Sequence, residues 1–308
     1  MAFRAVTKLS SGLHNHDSHV NKSRYNTIFA VGIGLNVAYV VVEAFYGWKI
    51  NSLALIADAG HNLSDVAGLL LAWAATFMAS LHPNMRHTFG WQKASIMAAF
   101  INAVMLLVAM GSLILESIQR LQSPEPMQGL VVIAVAASGI VINALAALLF
   151  IKNEHQDLNL RAAFLHMISD ALVSLGVLIA GVLYLWFEWA WLDPALSLMI
   201  SAIIIVSALN LFKKTLHMMF DGVPDSIELP KIYAYLKSIE GIAKVHDLHV
   251  WAMSTSDIAL TVQLIIPNWQ QNDVFICQIQ DALLEQFHIS HATIQITRAP
   301  ISTSCFNY

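Results

Sequence analysis

The chain has 308 residues, 57% of them hydrophobic and only 12% charged, where a soluble domain carries about 25%. Its formal net charge is −4, which gives no basic surface for nucleic acid. These figures exclude a soluble globular domain and a nucleic-acid-binding protein. They fit a chain that crosses a membrane several times, with its charge gathered in the ends and loops.

Residues 1–24 form a polar cytosolic tail containing His14, His16 and His19. That composition reads as disorder, or as a tail that captures metal loosely. No apolar leader core opens the chain, so the first membrane helix is expected to act as the insertion signal. Six apolar segments follow, at 26–48, 53–80, 93–119, 127–151, 162–186 and 191–212, each near the ~20 residues that a bilayer core requires. The second and third are long enough to tilt or to project into the cytosol. Short connections join them at 49–52, 81–87, 123–126, 152–160 and 187–190. With a cytosolic N-terminus, the inner side carries Arg4, Lys8, Lys22, Arg24, Arg86, Lys93, Lys152, Arg161, Lys213 and Lys214, and the outer side only Lys49 and Arg120. The positive-inside bias therefore places both termini in the cytosol. The chain divides into the tail (1–24), a six-helix membrane domain (25–214) and a cytosolic domain (215–308).

After Lys214 the composition turns soluble. Residues 227–238 and 273–287 have helical spacing, and 245–251, 258–266 and 292–297 alternate like strands. The order αββαβ predicts a small α+β, ferredoxin-like domain, one that gains stability by pairing with a second copy. Cys277 and Cys305, both in this part of the chain, read as reduced cytosolic thiols.

Two turns of apolar helix carry the chemistry: His61-Asn62-Leu63-Ser64-Asp65 and His166-Met167-Ile168-Ser169-Asp170. Residues i and i+4 share a helix face, so each turn presents an imidazole beside a carboxylate. Ionisable groups at membrane depth are costly and mark function. His61, Asp65, His166 and Asp170 together offer two nitrogens and two oxygens, a tetrahedral set for a zinc-like ion. Such a set suits zinc, cobalt or cadmium, whereas Mg²⁺ and Ca²⁺ prefer oxygen alone, and no thiolate pair is present for Cu(I). A closed set of four leaves no open position for an activated water, which disfavours a hydrolytic enzyme. Small residues on both segments (Ala57, Ala59, Gly60, Ala67 and Gly68; Ala162, Ala163, Ala171, Ser174 and Gly176) permit close helix approach. Asp58, one turn before His61, is expected either to accept an imidazole N–H or to lie solvated in an access cavity. Asn36, Glu43, Asn102 and Asn143 read as interhelical hydrogen-bonding points.

These motifs resemble the cation diffusion facilitators. The run Ser52-Leu53-Ala54-Leu55-Ile56-Ala57-Asp58-Ala59-Gly60-His61-Asn62-Leu63-Ser64-Asp65 is similar to their second helix. Thr88-Phe89-Gly90-Trp91-Gln92-Lys93 resembles the start of their third, His166-Met167-Ile168-Ser169-Asp170 their fifth, and His246-Asp247-Leu248-His249-Val250-Trp251 their cytosolic domain. The His form of the second-helix motif is similar to the zinc branch. The resemblance implies six helices, a ferredoxin-like domain, a homodimer, and zinc as transported substrate, exported from the cytosol in exchange for protons. Imidazole and carboxylate ligands suit that exchange, because each binds either a proton or the metal, and histidine titrates near physiological pH.

The resemblance also implies sites that this sequence fills poorly. A loop site would use Asn84, His87 and Trp91, of which only His87 is a good ligand, with His82 nearby. A regulatory zinc in the cytosolic domain would use His246, but Gln263 and Thr297 stand where an imidazole and a carboxylate are common; His249 and His291 are partial substitutes. In a straight strand His246 and His249 point to opposite faces. Lys93 and Asp221 match an inter-subunit salt bridge near the membrane boundary.

The sequence thus predicts a zinc-exporting proton antiporter, multi-pass in a bacterial inner membrane. A cadmium or cobalt exporter of the same mechanism is the alternative, with iron and manganese disfavoured. From other classes, a membrane metal sensor would signal without transport. An intramembrane metalloenzyme would need a pattern such as His-Glu-x-x-His, which the chain lacks.

Overall fold

The computed structural model describes residues 34, 37–150, 158–270 and 273–299. The histidines of the tail, Asn36, His155 and Cys305 lie outside the described residues. A first helix, α1, is described over 37–49. It is followed by α2 (Leu53–Ala79), α3 (Ala94–Gln122), α4 (Gly129–Phe150), α5 (Leu158–Phe187) and α6 (Leu192–Met219). Five of these helices, α2 to α6, are long and apolar enough to cross a membrane. The expected first span, 26–48, is described only in its second half.

Apolar length locates the bilayer rather than the helix ends, so α3, α5 and α6 overrun their apolar segments while α2 and α4 stay within theirs. α6 continues past Lys213 and Lys214 to Met219, because that extension holds good helix formers until Gly222 and Pro224 stop it. α5 starts at Leu158, four residues ahead of its apolar run. α3 stops at Gln122, where Ser123-Pro124-Glu125-Pro126 cannot continue a helix.

The described residues form two compact units. The first takes α1, α2 to Leu63, α3 from Ser112, α4, α5, and α6 to Ala202. Its centre is the opening of α2, where Leu53, Ala54, Leu55, Ala57, Asp58 and Ala59 are all buried. α4 and α5 pack face to face, and Gly181 sits so close to Ile133 that a Cβ there would lie 2.8 Å from its side chain. Asp193, in the first turn of α6, caps α2. Its carboxylate accepts the Ser52 hydroxyl at 2.5 Å and the backbone N–H groups of Leu53 and Ala54 at 2.7 and 3.2 Å. Two of the backbone donors that a helix start leaves unsatisfied are thereby met, and a negative charge is placed at the positive end of the helix dipole. Arg120 holds the carbonyl and side chain of the neighbouring Asn51, whose backbone is left-handed (φ 58°). Trp48, Trp186, Phe187, Trp189 and Trp191 are exposed around this end, as an aromatic belt at a membrane interface is.

The second unit takes the rest of α2 and α3, the end of α6 and the cytosolic domain. That domain runs α7 (Leu229–Ser238), β1 (Lys244–Ala252), β2 (Ile258–Ile265), α8 (Asp273–Phe287) and β3 (His291–Thr297). β1 and β2 pair antiparallel, β2 and β3 parallel. A parallel pair needs a crossover, and α8 supplies it. Ile232, Leu236, Leu260, Leu264, Leu283 and Ile289 form the core on one face of the sheet, as the αββαβ reading predicts. β1 is not straight: its register shifts between His246 and His249, and Asp247 is left-handed (φ 51°). The domain meets the start of α3 through Thr255, whose N–H donates to Ser95 Oγ at 3.1 Å. Lys93 and Asp221 pair there at 2.7 Å within the one chain, both exposed.

Replacing Asp193 by Ala is expected to lower stability by about 1–2 kcal/mol through loss of the α2 cap, read as thermal unfolding of the detergent-solubilised protein. Leu283→Ala is expected to cost the cytosolic domain about 2–5 kcal/mol, read as faster hydrogen exchange at the β2 amides.

Candidate metal centre

α2 and α5 bring three of the four expected ligands together. His61 Nε2 lies 3.9 Å from Asp170 Oδ1, and His166 Nε2 lies 3.6 Å from Asp170 Oδ2. The two imidazoles stand edge to face, with centroids 6.0 Å apart at 81°. One ligand atom from each of the three residues lies within 4.8 Å of the others. Around a tetrahedral zinc at ordinary bond lengths, ligand atoms are about 3.3 Å apart. Rotamer adjustments of an ångström or so would therefore close the set on an ion.

The burial is graded. The Asp170 side chain is 2% exposed, His61 28% and His166 37%. The carboxylate forms the floor, and the imidazoles line an open side. Asp65, the fourth expected ligand, follows His61 by one turn of α2 and so shares its face. It is not among the three residues whose ligand atoms converge.

Behind the centre lies a second polar group, also in the first unit. Asp58 is 1% exposed, so the solvated alternative for it does not hold. It accepts the Ser174 hydroxyl at 3.2 Å, with Ser174 one turn beyond Asp170 on α5. Glu43, on α1, is fully buried. Its Oε1 accepts the Tyr39 hydroxyl at 2.7 Å, and its side chain reaches Asp58 and Asn62. Room for Tyr39 comes from Gly139 of α4, where a Cβ would collide with the phenol oxygen. Sequence reading placed Glu43 among interhelical hydrogen bonders but missed Tyr39. The available signal was a Tyr and a Glu four apart in an apolar helix. It also missed Asp193, for which an acid in the first turn of α6 was the only sign. Asn102 behaves as expected, accepting from Ser64 Oγ at 3.4 Å. Asn143 is buried, and neither of its side-chain polar atoms is hydrogen-bonded among the described residues.

The remaining expected ligands are not brought to one centre among the described residues. His87 is stacked on Trp91 at 4.2 Å, and Asn84 spends its carbonyl oxygen on the N–H groups of Arg86 and His87. His291 sits edge-on to Phe89 at 5.5 Å. It pairs in register with Ala259, four residues along β2 from Gln263, the partner of His246. The expectation that His246 and His249 point to opposite faces is corrected by the bulge. They oppose Gln263 and Thr261, which are two apart on β2 and therefore share a face. His249 Nε2 lies 2.8 Å from Asp247 Oδ1.

Comparison with known proteins accounts for almost the whole chain. Residues 29–220 match the cation efflux transmembrane domain, and 224–299 match the cation efflux protein cytoplasmic domain. The zinc transporter ZitB of Escherichia coli is 35% identical over 291 residues, covering 93% of this chain and 92% of that protein. The cadmium, cobalt and zinc/H(+)-K(+) antiporter of Bacillus subtilis is 32% identical over 92% of this chain and 91% of its own. The metal cation efflux system protein CzcD of Cupriavidus metallidurans is 29% identical over 93% and 90%. With both domains matched in order and relatives aligned nearly end to end, the chain belongs to the cation efflux family, the cation diffusion facilitators.

Proposed function

We propose that this protein is a zinc exporter of the family's zinc branch, moving Zn²⁺ out of the cytosol in exchange for protons. The observation that carries this reading is the convergence of His61, His166 and Asp170 between two apolar helices, at a spacing close to that of zinc ligands. Asp65 is the fourth ligand of the proposed set. Imidazoles and carboxylates cannot hold a proton and the metal at the same position, so metal binding releases protons and acid releases metal. Two cargoes that exclude each other at one site couple their gradients once that site opens alternately to the two sides. Family membership supports a transporter rather than an enzyme.

The wider assignment follows from the same reading. The chain sits in the inner membrane of a bacterium with both termini cytosolic, in keeping with its charge bias. It divides at about residues 24 and 214, and it works as a homodimer, which the match to a cytoplasmic domain of this family favours. A regulatory zinc on the cytosolic domain would start from His246 and His249 on the open face of the sheet. A cadmium or cobalt exporter is the second reading, favoured by the name of the Bacillus relative.

In sealed vesicles holding the purified protein, zinc flux is expected to rise with an imposed pH gradient and to vanish when the gradient is collapsed. Flux indifferent to the gradient would remove proton exchange, and no flux at all would favour a sensor. Asp65→Ala and Asp170→Ala are each expected to reduce flux to background while the protein remains folded in the membrane; normal flux in both would remove the site. His87→Ala and His291→Ala are expected to leave it within about twofold, since single exposed substitutions away from a site are nearly neutral. A competition series with cadmium and cobalt in the same vesicles separates the two readings.

A further inference from the structure

The pair formed by Glu43 and Asp58 is not explained by the three converging ligands. Both side chains are buried, Glu43 completely and Asp58 to 99%. They lie within hydrogen-bonding reach of each other. Each has one oxygen supplied with a donor: Glu43 Oε1 by the Tyr39 hydroxyl and Asp58 Oδ2 by the Ser174 hydroxyl. The other oxygen of each, Glu43 Oε2 and Asp58 Oδ1, is buried with no hydrogen-bond partner among the described residues. Two carboxylates have only acceptors to offer each other. A single proton shared between them resolves both deficits, making one acid the donor and the other the acceptor. It also removes a repulsion between like charges that a bilayer interior would leave unscreened.

The groups facing Glu43 from each neighbouring element are few. Among the described residues its own helix presents the Tyr39 phenol and α2 presents Asp58 and Asn62, while Ser174 of α5 faces Asp58 and Gly139 of α4 faces the Tyr39 phenol. Of these only the Asp58 carboxylate is a base. The next charges are Asp170 and His61, acting through Asp58. The pair is therefore wired to the metal centre on both of its helices. Asp58 is one turn from His61, and Ser174 is one turn from Asp170.

We propose that Glu43 is a proton site of this transporter separate from the metal ligands. Its carboxyl donates to Asp58 while the centre holds no cation, and it gives up that proton when a divalent cation arrives. The step is a proton transfer alone: the Glu43 O–H bond breaks, the proton leaves for water, and a carboxylate remains. The two positive charges of the incoming ion compensate the new negative one at short range. Loss of the ion restores the repulsion and draws the proton back. The inference rests on the zinc-export reading for the identity of the cation, and on buried geometry for the proton.

The test uses the full-length protein in detergent micelles, titrated with ZnCl₂ in buffers of different ionisation enthalpy. The slope of binding heat against that enthalpy counts the protons released per zinc. Glu43→Gln, which keeps shape but cannot ionise, is expected to bind zinc while releasing about one proton fewer. Tyr39→Phe, which removes the phenol but keeps both acids, is expected to release the wild-type number. Equal proton counts for wild type and Glu43→Gln overturn the proposal. Infrared difference spectra of the wild type with and without zinc form the second arm and require no variant to fold. A protonated carboxyl C=O band, shifted in D₂O, should be present without zinc and lost on binding; its absence also overturns the proposal. Failure of zinc to bind the wild type would instead overturn the metal-site reading, and the zinc-free infrared spectrum of wild type minus Glu43→Gln would then decide whether Glu43 carries a proton.

Discussion

A carboxylate inside a bilayer must be paired or neutralised, because taking a bare charge out of water costs several kcal/mol even after the protein relaxes. The membrane helices of this protein are arranged around that requirement. Asp170 is nearly sealed from solvent, and two imidazoles from two helices flank its oxygens at 3.6 and 3.9 Å. Such a triad is satisfied by a proton or by a cation, and in apolar surroundings it is poorly satisfied by neither. On the proposed reading the site would therefore have two stable loadings, which is the property an exchanger needs.

Holding the triad together requires α2 to be fixed at its start. Asp193 saturates the first backbone donors of α2, while Arg120 fixes the turn before it. From there the chain runs Leu-Ala-Leu-Ile-Ala-Asp-Ala-Gly-His, a stretch whose alanines let neighbouring helices close in until most of it is buried. The cap and the alanines act together. Close approach needs small side chains, and a buried helix start needs its N–H groups met by something other than water. The acid at the start of α6 meets the second need only because the alanines have met the first.

Much of this was readable from residues alone, and the exceptions have physical causes. The His-x-x-x-Asp turn of α5 made His166 and Asp170 legible as neighbours, because i,i+4 spacing fixes a shared face whatever the tertiary structure; that His61 of α2 rather than Asp65 converges with them is set by helix packing, which no spacing states. In the cytosolic domain, alternation and strong breakers set the elements to within two residues. Helix ends beyond the bilayer were misjudged, since nothing apolar marks a helix such as the end of α6 once it leaves lipid. The bulge at Asp247 was invisible, because strand register is a property of two strands, and the left-handed backbone of one residue reversed the faces of His246 and His249. The cap from Asp193 joins residues 140 apart in the chain, and the meeting of Glu43 with Asp58 depends on how two consecutive helices pack across a turn. A single sequence carries no spacing rule for either.

The graded burial of the candidate metal centre is itself informative. A structural zinc site is closed, with four ligands already at bonding geometry and its imidazoles locked by buried partners. Here the carboxylate is buried, but the two imidazoles are 28% and 37% exposed, so they are not sealed as those of a structural site are. For a storage or structural site this would be a defect. For a carrier it is a requirement, since an ion held too tightly never leaves, and permeation depends on binding that is favourable enough to enter and weak enough to release. In the proposed exporter a buried carboxylate and half-exposed imidazoles would divide the two tasks: Asp170 would supply the charge that draws a cation into lipid, and His61 and His166, open to solvent, would be where it departs.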